Sequence, residues 1–435
     1  MTAAGVDGAG AVAEGTGGAD VADVADVADV AIVGGGPAGL AAALELRRLG
    51  VSRVVVLERE PEPGGIPRHT HHTGFGLHDL HRVLSGPAYA ARYVARARAA
   101  GVELRTATSV TGWSGIRALE LTSPAGRTTL TAGAIILATG CRERPRAARL
   151  VPGGRPLGVL TTGALQQLVY VERQRVGRRA VIVGAEHVSF SAITTLAHGG
   201  AETAALVTDD VTHQSVAPLV WATAGWRHVP LVPHSGVTRI VGGRRVEAVE
   251  VTELRSDRTR RIECDTVVFT GDWIPDHELA RAAGLVMDAT RGPRVDLALA
   301  TSADGVFAAG NLIHAAEAAD VAALSGRHAA RAAHAWLRDG RPAGGAAIAI
   351  ECRPPLRWIS PGALGGGTPP PRGRFVLRVG TRVLHGAVEV AQGVRTLWRE
   401  PPRKLVPGRS VRLDAAWVAS VDPDGPPPLV RVIGD

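Results

Sequence analysis

Val30-Ala-Ile-Val-Gly34-Gly-Gly36-Pro-Ala-Gly39 joins a short apolar run to the glycine spacing G-x-G-x-x-G. In this spacing Gly34 permits a tight turn, Gly36 lets the backbone approach a pyrophosphate, and Gly39 lets the next helix pack on the strand. The pyrophosphate then lies at the positive N-terminus of that helix. Glu58 ends the next apolar run nineteen residues after Gly39, where an acid binds a ribose hydroxyl. The segment therefore predicts a dinucleotide site.

The pattern around this turn is that of a strand–helix–strand unit. The helical pattern continues to Arg48, and Val54–Leu57 reads as the second buried strand, which implies a parallel sheet. A second unit with the same outline begins about 150 residues later. It has a strand at Ala180–Val183, a helix to about His198 and a strand at Ala204–Val207.

Composition excludes several classes of protein. The chain has 435 residues, 45% of them hydrophobic, and no apolar run long enough for a membrane span. The net charge is +8, but the arginines are scattered and only 4% of residues are aromatic, which argues against nucleic-acid binding. The three cysteines (Cys141, Cys264 and Cys352) are too far apart for a CxxC zinc site or a disulfide scaffold. The cytoplasm is therefore the expected compartment.

The second glycine turn is altered. Gly184-Ala-Glu186-His-Val-Ser189 keeps the first glycine, but Glu186 stands where the backbone approaches a pyrophosphate, and Ser189 replaces the packing glycine. A carboxylate at this position adds bulk and repels phosphate. Two interpretations stay open. The domain binds a nicotinamide dinucleotide through Gly184 and Ser189, with NAD slightly favoured over NADP, or it is retained only as a packing scaffold.

Further segments follow the first glycine turn in a fixed order. They are Gly64-Gly65, Ser109-Val110, Ala134-Ile-Ile-Leu-Ala-Thr139-Gly140, Val267-Val-Phe-Thr-Gly271-Asp-Trp-Ile-Pro275 and Gly305-Val-Phe-Ala-Ala-Gly310-Asn311. With them, residues 29–345 resemble flavoprotein oxidoreductases of the pyridine nucleotide-disulfide oxidoreductase superfamily. Gly65-Ile-Pro-Arg-His, Gly74-Phe-Gly-Leu and Gly140-Cys-Arg-Glu-Arg144 are similar to the FAD oxidoreductases found beside glycerol-3-phosphate dehydrogenases. They also resemble the flavin subunits of hydrogen cyanide synthase and opine oxidase.

The resemblance implies a non-covalently bound FAD and a role for each motif. The diphosphate and ribose would be held by the first glycine turn and Glu58, the flavin approached by the loop after Glu58, and the adenine contacted by the backbone near Val110. The cofactor-binding residues implied in this way are Gly34, Gly36, Gly39, Glu58, Gly64, Gly65, Val110, Thr139, Gly140, Gly310 and Asn311. Asn311 stands where the family usually has Asp, and it can hydrogen-bond without adding charge.

The predicted fold class is α/β, with two Rossmann-like dinucleotide-binding domains and a small C-terminal all-β domain. The FAD-binding domain is discontinuous, because the second, NAD(P)-type domain is inserted into it. The predicted parts are a disordered low-complexity tail at 1–28, the FAD-binding domain at 29–152 and 266–345, the inserted domain at 153–265, and the β-domain at 354–435.

Two groups of chemically active side chains admit alternative roles. Five histidines lie within the thirteen residues from His69 to His81, and one of them is a candidate for proton transfer near the flavin, the alternative being ordinary surface or packing roles. No metal site is predicted there, since cysteine is absent and Asp79 is the one nearby acid. Cys141 is either a thiol near the flavin or, the favoured interpretation, a small buried residue.

The predicted function is that of a FAD-dependent oxidoreductase that acts on a small-molecule substrate, with NAD(P)H as a candidate donor. No two cysteines are close in sequence, so a disulfide-reductase mechanism is not expected. The alternative is an electron-transfer flavin subunit of a multi-subunit dehydrogenase for amines or amino acids. Such a chain would not use NAD(P)H and would work with a partner dehydrogenase or an iron–sulfur subunit.

Overall fold

A computed structural model describes residues 26–315, 317–340 and 347–434. The first part of the chain contains the predicted strand–helix–strand unit, with its second strand on the predicted residues. Its elements are β1 (Asp26–Val33), α1 (Pro37–Arg48), β2 (Val54–Leu57), β3 (Thr73–Phe75), β4 (Leu84–Ser85), α2 (Gly86–Ala99), β5 (Glu103–Arg105), β6 (Ser109–Gly115), β7 (Ala118–Ser123), β8 (Gly126–Leu137) and β9 (Cys141–Glu143).

The first sheet has seven strands, six of them in the order β5-β2-β1-β8-β7-β6. Strands β5, β2, β1 and β8 run parallel, whereas β6 and β7 form an antiparallel wing on β8. Central parallel strands are covered on both faces, so their sequences are continuous apolar runs. This is why β1 and β2 could be recognised from sequence alone.

The first strand begins earlier than predicted, at Asp26 instead of Asp29. The predicted disordered tail therefore overlaps β1 at residues 26–28, and its remainder, residues 1–25, lies outside the described residues. Asp26 pairs in register with Leu130, and its carboxylate accepts hydrogen bonds from Arg53, at 2.8 Å, and from Arg105. These distant arginines extend the strand into a repeat that looks like low-complexity sequence.

The inserted part forms a second parallel sheet. Its elements are β10 (Val159–Thr161), α3 (Thr162–Gln166), β11 (Arg179–Val183), α4 (His187–His198), β12 (Glu202–Val207), α5 (Ala217–Val220), β13 (Leu231–Val232), β14 (Ser235–Val241), β15 (Ala248–Glu253), β16 (Thr259–Glu263) and β17 (Thr266–Phe269). The sheet order is β10-β17-β11-β12-β13, and β14, β15 and β16 form a separate antiparallel sheet. Because β17 pairs with β10 and β11, the predicted boundary at 265/266 falls one strand too early.

The chain then returns to the first sheet. The returning elements are β18 (Trp273–Pro275), α6 (Glu278–Ala282), β19 (Val306–Ala308) and α7 (Ala319–Asp339). Strand β18 pairs with β9 at the crossing between the two domains, and β19 adds to the first sheet beside β8. Helix α7 packs directly on α1, because a Cβ on Gly326 would lie 2.0 Å from the carbonyl oxygen of Ala38.

The last part is an all-β domain with its own core. Its strands are β20 (Ile348–Ala349), β21 (Glu351–Cys352), β22 (Leu356–Ser360), β23 (Ala363–Leu364), β24 (Arg374–Val379), β25 (Val383–Gln392), β26 (Arg395–Arg399), β27 (Arg403–Leu405), β28 (Val411–Asp414) and β29 (Leu429–Ile433). Phe375 and Trp417 stack at 5.1 Å in its centre. Since β21 pairs with β29, the domain begins before the predicted residue 354.

Single turns of 3-10 or π helix complete the secondary structure. They lie at Ile66–His69, Arg146–Arg149, Gln167–Val171, Trp221–Gly225, Gly310–Leu312, Pro371–Gly373 and Ala416–Ser420. The α/β fold class with two parallel sheets and a C-terminal β-rich region is confirmed. Within the described ranges, no helix is both long and apolar enough to cross a membrane.

Candidate active site

The turn between β1 and α1 leaves room for a phosphate. A Cβ on Gly34 would lie 2.4 Å from the carbonyl oxygen of Ala138, and one on Gly39 would lie 1.9 Å from the carbonyl oxygen of Gly34. At Gly36 the nearest atom to such a Cβ is the Cα of Gly65, at 3.9 Å. No side chain caps α1, so its first amides remain available to an anion. The turn is therefore closely packed at Gly34 and Gly39 and open at Gly36.

The Glu58 carboxylate is fixed beside this turn. The residue is 7% exposed at the end of β2. Its Oε2 accepts a hydrogen bond from the Gly35 amide at 2.9 Å, and its Oε1 accepts one from the Glu60 amide at 2.9 Å. Each carboxylate oxygen can accept a further hydrogen bond. Glu58 is therefore oriented to bind a hydroxyl group next to the glycine turn.

The loop that contains Gly64 and Gly65 lies directly on the glycine turn. The Gly64 amide donates to the Gly35 carbonyl at 2.8 Å. Gly65 has a φ of +63°, and a Cβ there would lie 2.9 Å from the Cα of Gly36. A side chain on Gly65 would therefore displace the turn, whereas a Cβ on Gly64 would lie 2.9 Å from the Cβ of Ala90. Both loop residues, which the resemblance assigns to the flavin, thus lie against the glycine turn.

Two later motifs come from distant parts of the chain to the surroundings of the glycine turn, one beside α1 and one at the domain crossing. Gly310 has a φ of +69°, donates its amide to Ser325 Oγ at 2.8 Å, and would clash with the Ala38 side chain if it carried a Cβ. Thr139 follows β8, and its hydroxyl donates to the Asp276 carbonyl at 2.7 Å. Gly140 has a φ of +80° and accepts from the Asp276 amide at 2.9 Å. Gly310 therefore lies at the N-terminus of α1, and Thr139 and Gly140 lie at the domain crossing.

Val110 is less directly placed than the other predicted residues. It pairs with Leu121 in the antiparallel wing. The amides that meet the backbone around Glu58 belong to Thr108, which donates to the Glu58 carbonyl at 2.9 Å, and to Ala107, which donates to the Glu60 carbonyl at 2.9 Å. Sequence reasoning missed both, since neither has a distinctive side chain.

Asn311 has its side chain engaged by the loop that leads into α7. Its Oδ1 accepts from the Glu317 amide at 3.1 Å, and its Nδ2 donates to the Glu317 carbonyl at 3.2 Å. Both groups keep one further hydrogen-bonding position. The residue therefore fixes the loop and can also reach a ligand hydroxyl.

The five histidines do not come together. His69 is buried, which lowers its pKa, and His71 stacks on Tyr170 at 4.1 Å. His72 contacts the Thr73 carbonyl, and His81 lies in a turn with a φ of +52°. Among the described residues no group of three or more metal-binding side chains is found.

His78 is the histidine with an acid partner. Its Nδ1 lies 2.5 Å from Oδ2 of Asp320, and its backbone amide donates to the same oxygen at 3.0 Å. Asp320 is 4% exposed in the first turn of α7. A carboxylate on Nδ1 fixes the ring and leaves Nε2 to exchange a proton. Sequence spacing could not indicate this pair, because its members lie 242 residues apart.

The Glu186 side chain lies inside the second glycine turn. The Ala185 amide donates to Oε2 of Glu186 at 3.0 Å, and burial raises the pKa of this glutamate. A Cβ on Gly184 would lie 2.0 Å from Oγ1 of Thr270, and Ser189 Oγ lies 2.7 Å from the same atom. The turn is thus filled by side chains of the chain itself, and Gly184 and Ser189 face Thr270.

A second glutamate lies beside Glu186 at the domain crossing. Glu143 is 6% exposed and accepts hydrogen bonds from the Gly163 amide at 3.0 Å and the Gly271 amide at 3.3 Å. Burial, with a further contribution from the charge of Glu186, raises the pKa of Glu143 to about 7. The Arg149 guanidinium donates to the Gly271 carbonyl at 2.9 Å. Sequence analysis did not identify Glu143.

The cysteines form no disulfide with one another, and all three lie in the described part of the chain. Cys141 is partly exposed in β9, where it pairs in register with Pro275 of β18. It lies at the domain crossing, immediately after the Thr139-Gly140 turn.

Two Rossmann-like domains with an intact dinucleotide turn in the first define an oxidoreductase of the two-dinucleotide-domain class. The chain belongs to the pyridine nucleotide-disulphide oxidoreductase family, whose model matches residues 28–326. This family binds FAD, and the chain is accordingly a flavoprotein oxidoreductase.

Individual relatives support the family and the fold. The chain is 28% identical over 355 residues to an opine oxidase subunit of Agrobacterium tumefaciens (strain Ach5), a match that covers 71% of this chain and 65% of the relative. Thioredoxin reductase of T. acidophilum has a TM-score of 0.59 at 21% identity and covers 72% of this chain and 99% of its own. NAD-dependent persulfide reductase of A. fulgidus has a TM-score of 0.55 at 19% identity, covering 84% and 67%.

Proposed function

We propose that the chain is the FAD-carrying subunit of a multi-subunit oxidoreductase that oxidises an amine or amino acid and does not take electrons from NAD(P)H. The observation that carries this proposal is the Glu186 side chain, which fills the second glycine turn and whose Oε2 would lie 2.8 Å from a Cβ on Gly184. In the first domain the equivalent turn is open at Gly36.

The Glu186 carboxylate competes with a dinucleotide in two ways. It occupies the space that Gly36 leaves open in the first turn, and in its ionised form it would repel a phosphate that approaches. The side chain is also closely packed, since a Cβ on Gly271 would lie 2.3 Å from its Oε1. A nicotinamide dinucleotide would therefore have to displace a packed carboxylate before it could bind.

A multi-subunit enzyme is suggested by the curated relative, whose name makes it one subunit of an opine oxidase. The match spans 65% of that relative's length. A flavin chain that lacks both a nearby cysteine pair and an open nicotinamide turn needs another electron donor and acceptor. A substrate with an oxidisable carbon–nitrogen bond and a partner dehydrogenase or iron–sulfur subunit fit this requirement.

The residues present fit FAD. The open space at Gly36, the uncapped N-terminus of α1 and the oriented Glu58 carboxylate would hold its diphosphate and adenosine ribose. Gly64, Gly65 and Gly310 would exclude water around the diphosphate, and Asn311 would hold the loop that precedes α7. When bound, FAD accepts the electron pair that leaves the substrate.

His78 is the residue that we assign to proton transfer. Asp320 fixes its Nδ1, so Nε2 is the atom that would take the proton from the substrate nitrogen. The 41% exposed His78 side chain can also return this proton to water.

The test is anaerobic reduction of the purified FAD-loaded protein. We expect neither NADH nor NADPH to bleach the flavin absorbance, whereas dithionite, as a control for an intact flavin, bleaches it fully. A panel of amino acids and N-alkyl amino acids should contain compounds that bleach it. Rapid bleaching by either nicotinamide nucleotide would refute the proposal.

A further inference from the structure

A small cavity lies where α7 meets β24 and β28. Its volume is about 50 Å³. This is room for roughly four water molecules, or for one carboxylate group, on a scale of about 10–15 Å³ per water. Its wall combines the loop before α7, the first turns of α7 and the outer face of the C-terminal domain. The cavity is therefore large enough for one small polar group of a ligand.

Three arginines contribute the positive charge of the wall. Arg374 on β24 and Arg412 on β28 project from one face of the sheet, because Arg412 pairs in register with Val376, two residues beyond Arg374. Arg372 lies in the preceding turn with a φ of +61°. Within the described ranges, these three guanidinium groups have no hydrogen bond or ion pair with another residue.

The nearby acids are already engaged. Glu317, which also lines the cavity, accepts a hydrogen bond from Ser410 and lies 4.0 Å from the Arg378 guanidinium. Asp320 of α7, whose charge acts on Arg372, is held by His78. Burial and the neighbouring charge of Arg412 lower the pKa of Arg372. The cavity thus keeps an excess of positive charge that a bound anion would neutralise.

His314 is an independent indication of a ligand. It lines the cavity, is only 8% exposed, and its Nδ1 has no hydrogen-bond partner among the described residues. Buried polar atoms almost always have a partner, either in the protein or in a bound molecule. Burial lowers the pKa of His314 to about 4, so at neutral pH the uncharged ring can donate to an anion from one nitrogen.

The cavity adjoins the predicted flavin segment. Ser325 is in its wall and accepts the hydrogen bond from the Gly310 amide. Glu317 is in its wall and holds Asn311 through its backbone. A molecule anchored in the cavity would therefore lie next to the residues that approach FAD.

We propose that this cavity, the arginine cavity, binds the carboxylate of the substrate through Arg372, Arg374, Arg412 and His314. Guanidinium groups match a carboxylate with paired, charge-assisted hydrogen bonds. The proposal rests on the function proposed above and narrows its substrate class. The substrate is an amine that carries a carboxylate, an amino acid or N-substituted amino acid, and simple amines are excluded.

The binding step can be tested without turnover. The FAD-loaded protein is titrated calorimetrically with sodium acetate and sodium succinate at constant ionic strength, against sodium chloride and inorganic phosphate. We expect saturable binding of a carboxylate, weakened at least tenfold by Arg372→Gln and by Arg412→Gln. Arg353→Gln, an exposed arginine of the same domain outside the cavity, should bind as the wild type does. Both cavity variants change exposed side chains, and their melting temperatures and FAD content check that folding is intact.

The outcomes separate this proposal from the proposed function. Carboxylate binding lost in the two cavity variants and kept in Arg353→Gln supports the arginine cavity, even if no amine reduces the flavin. Oxidation of amino acids by the wild type with unchanged KM in both cavity variants would overturn the arginine cavity and leave the proposed function intact. Tighter binding of phosphate than of either carboxylate would overturn the assigned substrate class. Absence of any saturable anion binding would overturn the site itself.

Discussion

Glu143 makes the free energy of unfolding depend on pH. Its carboxyl is buried at the domain crossing, 3.0 Å from the Gly163 amide, with Glu186 nearby. The native protein holds the Glu143 proton with a pKa of about 7, against a value of 4.5 when the group is exposed. The perturbation that we consider is Glu143→Gln, which is permanently uncharged and of nearly the same size.

The direction in which stability changes with pH depends on whether the native or the unfolded state keeps the Glu143 proton. Below pH 4.5 both the native and the unfolded chain carry the proton, so the native state has its full stability. Between pH 4.5 and about 7 only the unfolded chain ionises, and stability falls. The shift of about 2.5 units, at 1.36 kcal/mol per unit, makes this loss roughly 3 kcal/mol above pH 7. Glu143→Gln should lack this loss.

Glu143→Gln also loses some stability at every pH. Glutamine has one acceptor oxygen, so it can serve only one of the two amides, of Gly163 and Gly271, that Glu143 accepts from. The lost hydrogen bond costs about 1 kcal/mol. Relative to the wild type, the variant should be about 1 kcal/mol less stable at pH 4.5 and about 2 kcal/mol more stable at pH 8.

The assay is urea unfolding of the FAD-loaded protein, followed by tryptophan fluorescence between pH 4.5 and 8. Glu172→Gln, an exposed glutamate of the same domain, is the control and should follow the wild type. Glu186→Gln should reduce the pH dependence in part, since the charge of Glu186 contributes to the raised pKa. Parallel pH profiles for Glu143→Gln and the wild type would refute the reasoning.

Three further substitutions test the site, and a fourth tests the ion pairs of Glu45 on α1. His78→Asn should lower kcat for the amine substrate about 100-fold with little change in KM. His72→Asn, the control, should keep the wild-type kcat. Equal rates for the two variants would exclude His78 as the proton acceptor. Gly36→Ala should leave the melting temperature of the FAD-free protein unchanged, because its Cβ would lie no closer than 3.9 Å to the nearest protein atom, the Cα of Gly65. It should weaken FAD binding by about 2 kcal/mol, roughly 30-fold, because the Cβ intrudes on the diphosphate. Wild-type affinity, measured by fluorescence quenching, would place the diphosphate elsewhere. Gly39→Ala should instead destabilise the FAD-free protein by about 3 kcal/mol in chemical unfolding, because its Cβ would lie 1.9 Å from a carbonyl oxygen, and a stable variant would contradict the close packing. Arg48 and Arg331 lower the pKa of Glu45 to about 2. Because both arginines are exposed, Glu45→Gln should remove only about 1–2 kcal/mol of stability at pH 7, and it should reduce the loss of stability that the wild type shows between pH 4.5 and 2. An acid unfolding transition identical to that of the wild type would contradict this.

The fold could be predicted in outline because its strongest signals are local. The apolar runs of β1 and β2, the glycine turn between them and Glu58 are all found within about thirty residues of sequence. The same proximity revealed that Glu186 disturbs the second turn. The start of β1 was wrong because Asp26 is stabilised by arginines of other elements, which a local pattern does not show.

Most of the candidate site depends on contacts between distant segments. His78 meets Asp320 across 242 residues, and the arginine cavity joins the loop before α7 to strands of another domain. Glu143 has an ordinary sequence context, and only its burial distinguishes it. The five histidines between His69 and His81 show the opposite case. They are close in sequence, but the fold places them in separate surroundings.

The contact between α1 and α7 has a consequence for biosynthesis. The helix that would hold the diphosphate is completed by Gly310 and Gly326, which are translated only after the entire inserted domain. The inserted sheet consists of consecutive segments from β10 to β17, so it can form while the rest of the first sheet is still in the ribosome. FAD can therefore bind only late in the synthesis of the chain. A chain truncated before α7 would contain the inserted domain but no complete site for its cofactor.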